Sequence, residues 1–239
     1  MIFKEFLAFL FNRYCACCGK GLSFSEQTVC SLCLDSIETF EEIITCSKCG
    51  KPVRDYTPSA DNYICGICSR KRFHYSELYV FGPYKGKLKD LLITYKFRNR
   101  SDLSEIFAEL LMLDERFLDF ISDGELFIPV PLSDKRLNFR GYNQVYLILK
   151  HLKFRLHGLK IGERVIKRVR ETEFQKNLKI TARRANIRGA FHVTSEETVK
   201  GKNIVLFDDI YTTGATAGEI SRILKRAGAR KIKVAVIAR

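Results

Sequence analysis

A chain of 239 residues has room for one medium domain and a small second one, and for little more. Its formal charge of +14 is unevenly spread: residues 129–190 hold sixteen Lys/Arg against four Asp/Glu, while residues 1–78 balance at nine of each. A basic excess confined to one segment favours polyanionic ligands, and no stretch is long and apolar enough to span a bilayer.

Residues 1–14 place Phe3, Phe6, Leu7, Leu10 and Phe11 on one helical face. The stretch is interrupted by Glu5, and no small-residue cleavage site follows it, so it does not read as an export signal. A helix docked on its own domain is expected, with a membrane-surface helix as the alternative.

All nine cysteines follow within residues 15–68, and eight form four C-x-x-C pairs: Cys15/Cys18, Cys30/Cys33, Cys46/Cys49 and Cys65/Cys68. Two such knuckles supply four thiolates to one tetrahedral zinc ion. The odd count and the lack of an export signal argue against disulfides. CACCGK at Cys15–Lys20 is echoed by CSKCGK at Cys46–Lys51, and each is followed by a second pair, CSLC or CGIC. This is an internal repeat. It predicts one structural zinc on the first four ligands and another on the last four, with cross-braced pairing as the alternative. Cys17 is left over and leaves the register of the first knuckle ambiguous. Eight thiolates on two zinc ions make this lobe net acidic, so a structural or partner-binding role is expected. It is taken as residues 1–76, with a second domain over residues 77–239.

Residues 69–77 read as a linker, and their run SRKR as solvated surface. A strand over Leu78–Phe81 leads through GPYKGK to a helix ending near ITYKFRNR, and Leu103, Ile106, Phe107, Leu110 and Leu111 mark a core helix. Phe127–Pro131 is predicted as a strand. The loop after it carries Lys135, Arg136, Arg140, Gly141 and Asn143, which suit an anion site, before a helix over Tyr142–Lys153. Residues 163–191 are basic and lose periodicity after Val169, as a lid over a charged substrate would.

The most informative stretch is Asn203–Gly218, NIVLFDDIYTTGATAG. Ile204–Phe207 suits a strand buried on both faces. Asp208 and Asp209 follow, then hydroxyls and glycines, then a helix carrying Ile220, Ile223, Leu224 and Ala227 inward and closing at Gly228. A strand that feeds a helix through small residues aims backbone N–H groups and the positive helix end at one point. With Thr212, Thr213, Gly214, Ala215 and Thr216 there, a phosphate monoester fits, and paired carboxylates beside it can accept from the vicinal hydroxyls of a ribose. The Walker and dinucleotide glycine patterns are both missing. The final strand, Lys231–Ala238, is predicted to lie parallel to Ile204–Phe207 after a right-handed crossover.

The Asp-Asp loop resembles the phosphoribosyl pyrophosphate (PRPP) signature of phosphoribosyltransferases. The whole chain resembles the competence protein F family, which is amidophosphoribosyltransferase-like with an N-terminal double zinc ribbon. The resemblance runs through the C-x-x-C pairs, Tyr95-Lys96-Phe97 and IPVPLSDKRLNFRGYNQ. It continues through Arg168, Arg170, Thr172, Gln175, Leu178, Arg183, Asn186 and Gly189-Ala190-Phe191 to the closing VIAR. Ala182 stands where the family usually has an acid. The resemblance implies a type I phosphoribosyltransferase fold, an α/β parallel sheet with helices on both faces, and a flexible loop over PRPP with Mg²⁺. Arg136 and Arg140 would face pyrophosphate, and Arg170 and Gln175 would close from the lid. It also implies a cytoplasmic role in natural transformation, handling single-stranded DNA beside uptake machinery at the inner face of the membrane. The +12 segment offers Tyr142, Tyr146 and Phe154 among its lysines as stacking faces for such DNA. No residue stands out as a base to activate an acceptor, which leaves turnover open. The alternatives are a metabolic transferase of nucleotide salvage or PRPP amination, and a catalytically silent adaptor.

Overall fold

The computed structural model describes residues 13–23, 26–53, 63–170 and 187–239. The helix expected over residues 1–14 falls almost wholly outside these residues, as do Thr172, Gln175, Leu178, Ala182, Arg183 and Asn186.

The Cys-rich segment contributes two short helices, α1 (Ser31–Asp35) and α2 (Gly66–Ser69). Then come β1 (Glu77–Gly82), α3 (Gly86–Phe97), α4 (Leu103–Leu113), α5 (Glu115–Ile121) and β2 (Leu126–Pro129). The chain continues through α6 (Asp134–Arg140), α7 (Gln144–Arg155), β3 (Ile166–Arg168), β4 (Phe191–Val193) and α8 (Glu196–Val199). It closes with β5 (Asn203–Ile210), α9 (Ala215–Arg226) and β6 (Lys231–Ala238).

Four strands form a wholly parallel sheet in the order β1-β6-β5-β2. Its apolar residues divide by parity, because successive strand residues face opposite sides. Tyr79, Phe81, Phe127, Val205, Phe207, Ala235 and Ile237 join one core with residues of α3, α4, α5 and α7. Leu78, Val80, Leu126, Ile128, Ile204, Leu206, Val234 and Val236 join a second core with α9 and the β3–β4 pair. Burial on both faces explains why these strands read as unbroken apolar runs. The expected three-layer α/β architecture is present.

Both outer edges of the sheet are covered. Leu78 N donates to Ser47 O (2.8 Å) and Phe40 N to Phe81 O (2.9 Å), so the Cys-rich segment masks β1. On β2, Phe127 N donates to Lys160 O and Gly162 N to Phe127 O, each at 2.8 Å. Exposed strand edges invite unwanted pairing, and both covers suppress it.

Several elements differ from expectation. The residues read as a basic loop after β2 form helix α6, because Ser133 provides an extended entry and Gly141, at φ +76°, a left-handed exit. β5 runs on to Ile210, paired with Ala238 of β6, so Asp208 and Asp209 belong to the strand itself. The ends of the predicted lid form an antiparallel ribbon, β3 with β4. The expected linker is anchored: Tyr75 is buried, and its ring meets that of Phe73 edge-on at 5.3 Å. Arg70, Lys71 and Arg72 remain exposed, as expected.

Candidate functional site

The cysteine repeat gives two similar turns. Cys15 N donates to Lys20 O and Gly19 N to Cys15 O; Cys46 N and Gly50 N repeat both bonds with Lys51 O and Cys46 O. Gly19 (φ +74°) and Gly50 (φ +66°) take the left-handed conformation that closes each knuckle. The second pair of each unit opens a short helix, α1 after Cys30 and α2 after Cys65.

The thiols gather as Cys15, Cys18, Cys30 and Cys33, and as Cys46, Cys49, Cys65 and Cys68, with the sulfurs of each set within 4.8 Å of one another. This is the sequential pairing. A tetrahedron with Zn–S bonds of about 2.3 Å has S–S edges of about 3.8 Å. Cys18 and Cys30 lie 3.8 Å apart and Cys49 and Cys65 3.9 Å, so both sets fit zinc. Backbone N–H groups of Cys17 and Cys30 point at Cys15 Sγ, and that of Cys65 at Cys46 Sγ. Cys17 stands outside both sets and packs against the first core.

At the carboxyl ends of the strands, β2 stops pairing at Phe207 while β6 follows β5 to Ile210. The acid pair therefore projects beside the end of β2, where open α/β sheets bind ligands. Alternation sends Asp209 toward the layer of α3 and α7. There Lys96 Nζ meets its Oδ1 at 2.8 Å, and Gln144 Nε2 donates to its Oδ2, also at 2.8 Å. Burial alone would raise the Asp209 carboxyl, but Lys96 and Gln144 together hold it below the usual carboxylate range.

Asp208 is held differently: its Oδ1 accepts from Asp209 N at 2.9 Å, and Lys96 and Arg136 act on it by charge alone. Burial, and then the charge of Asp209, push its pKa up to about 7. The two acids are thus unequal, where the sequence suggested an equivalent pair. The reason is that a strand cannot turn two neighbouring side chains to one face.

Tyr95 and Tyr142 fix this arrangement. Tyr95 Oη donates to Gln144 O (2.7 Å) and Tyr142 Oη to Tyr95 O (3.1 Å), tying the end of α3 to the start of α7. Asn143 caps α7 by accepting from Val145 N and Tyr146 N, and its amide donates to Val130 O. Lys96 and Gln144 were not singled out as site residues from the sequence. Both lie in quoted motifs, Tyr95-Lys96-Phe97 and the end of IPVPLSDKRLNFRGYNQ, which was the available signal. Gln144 is wholly buried, and among the described residues its Oε1 has no hydrogen-bond partner.

Thr212, Thr213, Gly214, Ala215 and Thr216 surround the start of α9 as expected. Gly214 is its N-cap, at φ +72°, and has no side chain to cap the helix; Ala215 N makes only a long 3.4 Å bond to Thr213 Oγ1. Apart from that long contact, the first turn of α9 presents its N–H groups as an anion site does. On α6, Arg136 and Arg140 are half-buried; Arg140 lies over the Phe97 ring, 5.4 Å from its centroid. Burial, then the neighbouring charge of Arg136, pull the Arg140 guanidinium below its ordinary value. Arg170 sits at the end of the ribbon and donates to Arg188 O at 2.9 Å. Gly189 N in turn donates to Glu219, so the described end of the segment expected to be a lid is docked on α9.

Of the three aromatics considered for stacking, Tyr142 is committed to Tyr95, Tyr146 lies under Lys150, and Phe154 is 89% exposed. Among the described residues no helix is long and apolar enough to cross a membrane.

Comparison with known proteins agrees with this geometry. Residues 150–239 match the phosphoribosyl transferase domain family. Competence protein F of Haemophilus influenzae is 31% identical over 233 residues, covering 96% of this chain and 98% of that protein. DNA utilization protein YhgH of Salmonella typhimurium is 32% identical, covering 92% and 94%. Among solved structures, the glutamine PRPP amidotransferase from B. subtilis aligns at 18% identity with a TM-score of 0.35, over 60% of this chain and 26% of that one. Near-complete coverage at this identity, with the parallel sheet and the two thiol clusters in place, means that the chain belongs to the competence protein F family and carries a phosphoribosyltransferase-like domain.

Proposed function

We propose that the protein binds PRPP at the carboxyl ends of β5 and β2 and acts in DNA uptake. The observation that carries this reading is the glycine-led start of α9, where Gly214 (φ +72°) follows two threonines just beyond the acid pair. The 5-phosphate takes the N–H groups of residues 214–216 and the hydroxyls of Thr212, Thr213 and Thr216. Asp208 accepts from the ribose hydroxyls, while Asp209 holds Lys96 and Gln144 in place behind it. Arg136 and Arg140 approach from α6, where pyrophosphate would extend, and Arg170 and Gln175 close over it. Mg²⁺ would accompany the ligand and neutralise part of its phosphate charge. Departure of pyrophosphate would leave an oxocarbenium-like ribose, for which the site needs to supply charge and geometry rather than a nucleophile.

The DNA side of the proposal is supported by the names of the relatives and by the basic segment 129–190. A cytoplasmic location follows from that role.

Calorimetric titration of PRPP with Mg²⁺ tests the ligand. Asp208→Ala removes charge-assisted hydrogen bonds worth about 1.5–3 kcal/mol and should weaken binding about ten- to hundredfold. Equal affinity for ATP would show only a general phosphate trap. Assaying pyrophosphate release with nucleobases, ammonia and single-stranded DNA in turn tests turnover.

A further inference from the structure

The two thiol clusters are copies in sequence but not in surroundings. A side chain on Gly19 would meet open space, whereas one on Gly50 would strike Val80, Leu78 and Arg239. The second knuckle is built against the sheet. Lys48, between Cys46 and Cys49, sends its ammonium to the carbonyls of Tyr75 and Ser76, and Arg239 donates to Cys49 O.

The carbonyl of Lys48 makes a further connection. Tyr75 Oη donates to it at 2.7 Å. That uses Tyr75's one proton, so in the 2.9 Å contact between the two hydroxyls Tyr211 is the donor and Tyr75 accepts. Tyr211 Oη also lies 3.4 Å from Lys48 O. Both rings are buried, at 3% and 6% exposure. The far end of the Tyr211 ring lies against Gly214: a Cβ built on that glycine would overlap the phenol oxygen and approach its ring carbons.

We infer that Tyr75 and Tyr211 are positioning residues through which the second thiol cluster holds the phosphate loop in its binding shape. The closed knuckle, which zinc would hold, fixes the Lys48 carbonyl; the carbonyl orients Tyr75, Tyr75 orients Tyr211, and Tyr211 wedges Gly214 into the left-handed turn from which α9 starts. Neither phenol is among the residues assigned to the ligand. The inference rests on the proposed PRPP site, and it requires the link to work both ways: whatever orders the loop must also tighten the knuckle.

The test uses the full chain with its zinc. PRPP affinity, zinc content and thermal stability are measured for wild type, Tyr75→Phe and Tyr211→Phe. Each variant should keep two zinc ions, because the thiols are untouched, and bind PRPP about three- to tenfold more weakly, the effect of one internal hydrogen bond. In the unaltered protein, saturating PRPP should slow transfer of one of the two zinc ions to a chromogenic chelator. Tyr75→Phe should abolish that protection. This arm needs no variant to fold, since an unchanged zinc release in wild type with PRPP bound overturns the inference by itself. Unaltered PRPP affinity in both folded variants overturns it too. A wild-type protein that binds no PRPP overturns the reading of the site, and the inference with it.

Discussion

At the scale of single residues, the acid pair divides its labour, and the division is testable by pH. Asp208 keeps its proton up to about pH 7 in the fold, whereas in an unfolded chain an aspartate loses it near pH 4. Between those values the native state binds more protons, so this group's contribution to stability falls as pH rises. Asp208→Asn should therefore raise Tm at about pH 8 and change it little at about pH 4, while weakening PRPP binding by up to about a hundredfold; calorimetric scans at the two pH values check the sign. Affinity of the unaltered protein for PRPP should climb from about pH 6 to about pH 8 as the carboxylate forms. Asp209 behaves in the opposite sense, since Lys96 and Gln144 keep it ionised. The Lys96 and Asp209 side chains are each 13% exposed, and removing one partner of so buried a pair costs about 3 kcal/mol. Lys96→Met should lose about that much in urea unfolding, and Lys96→Met/Asp209→Asn should recover most of it.

At the scale of elements, the cysteine units and the loop before α9 are the informative pieces. Structural zinc binding is folding energy. Purified protein should hold two zinc ions by elemental analysis, and Cys18→Ser should lose one of them and destabilise the lobe. Cys17→Ser should keep both, because Cys17 stands outside the thiol sets; zinc loss there would mean that the first knuckle closes through the wrong sulfur. In the loop, Gly214→Ala asks an L-residue to adopt φ +72° against the Tyr211 ring. A shifted turn misaims the first N–H groups of α9, so PRPP affinity should fall by at least about tenfold, the cost of roughly one to two lost hydrogen bonds.

For the molecule as a whole, the Cys-rich segment is part of the architecture. Cys15, Cys30 and Cys33 share a core with Leu88 and Leu91, and Phe40 and Tyr75 share the other with Leu78 and Val80. The basic segment is the other large-scale feature. If it receives single-stranded DNA, affinity should fall with salt at a log–log slope of about −0.7 per phosphate neutralised. Charge reversal at Lys150 and Lys153, both exposed on α7, should flatten that slope and leave PRPP binding intact. Arg155 is a poor choice for reversal, because it pairs with Glu109 at 2.8 Å and Glu105 at 3.6 Å. A salt-independent affinity, measured by fluorescence anisotropy, would remove DNA from the segment.

What the sequence by itself determined is whatever depends on near neighbours in the chain. A two-residue cysteine spacing, followed by glycine, closes a knuckle wherever it occurs, and both units fold alike. The run from Ile204 to Gly218 specifies strand, acid pair, loop and helix by local geometry alone, and the parity of the apolar strand residues assigns each to its layer. Tertiary structure decided the rest, because the contacts involved join residues far apart. Asp209 is held ionised by a lysine on α3 and a glutamine on α7, the latter 65 positions away. Tyr211 reaches the carbonyl of Lys48 across 163 positions. No periodicity or spacing encodes such pairs; they exist only once the helical layers and the knuckle have docked on the sheet, and that docking gives the two aspartates, and the two copies of the knuckle, their different surroundings.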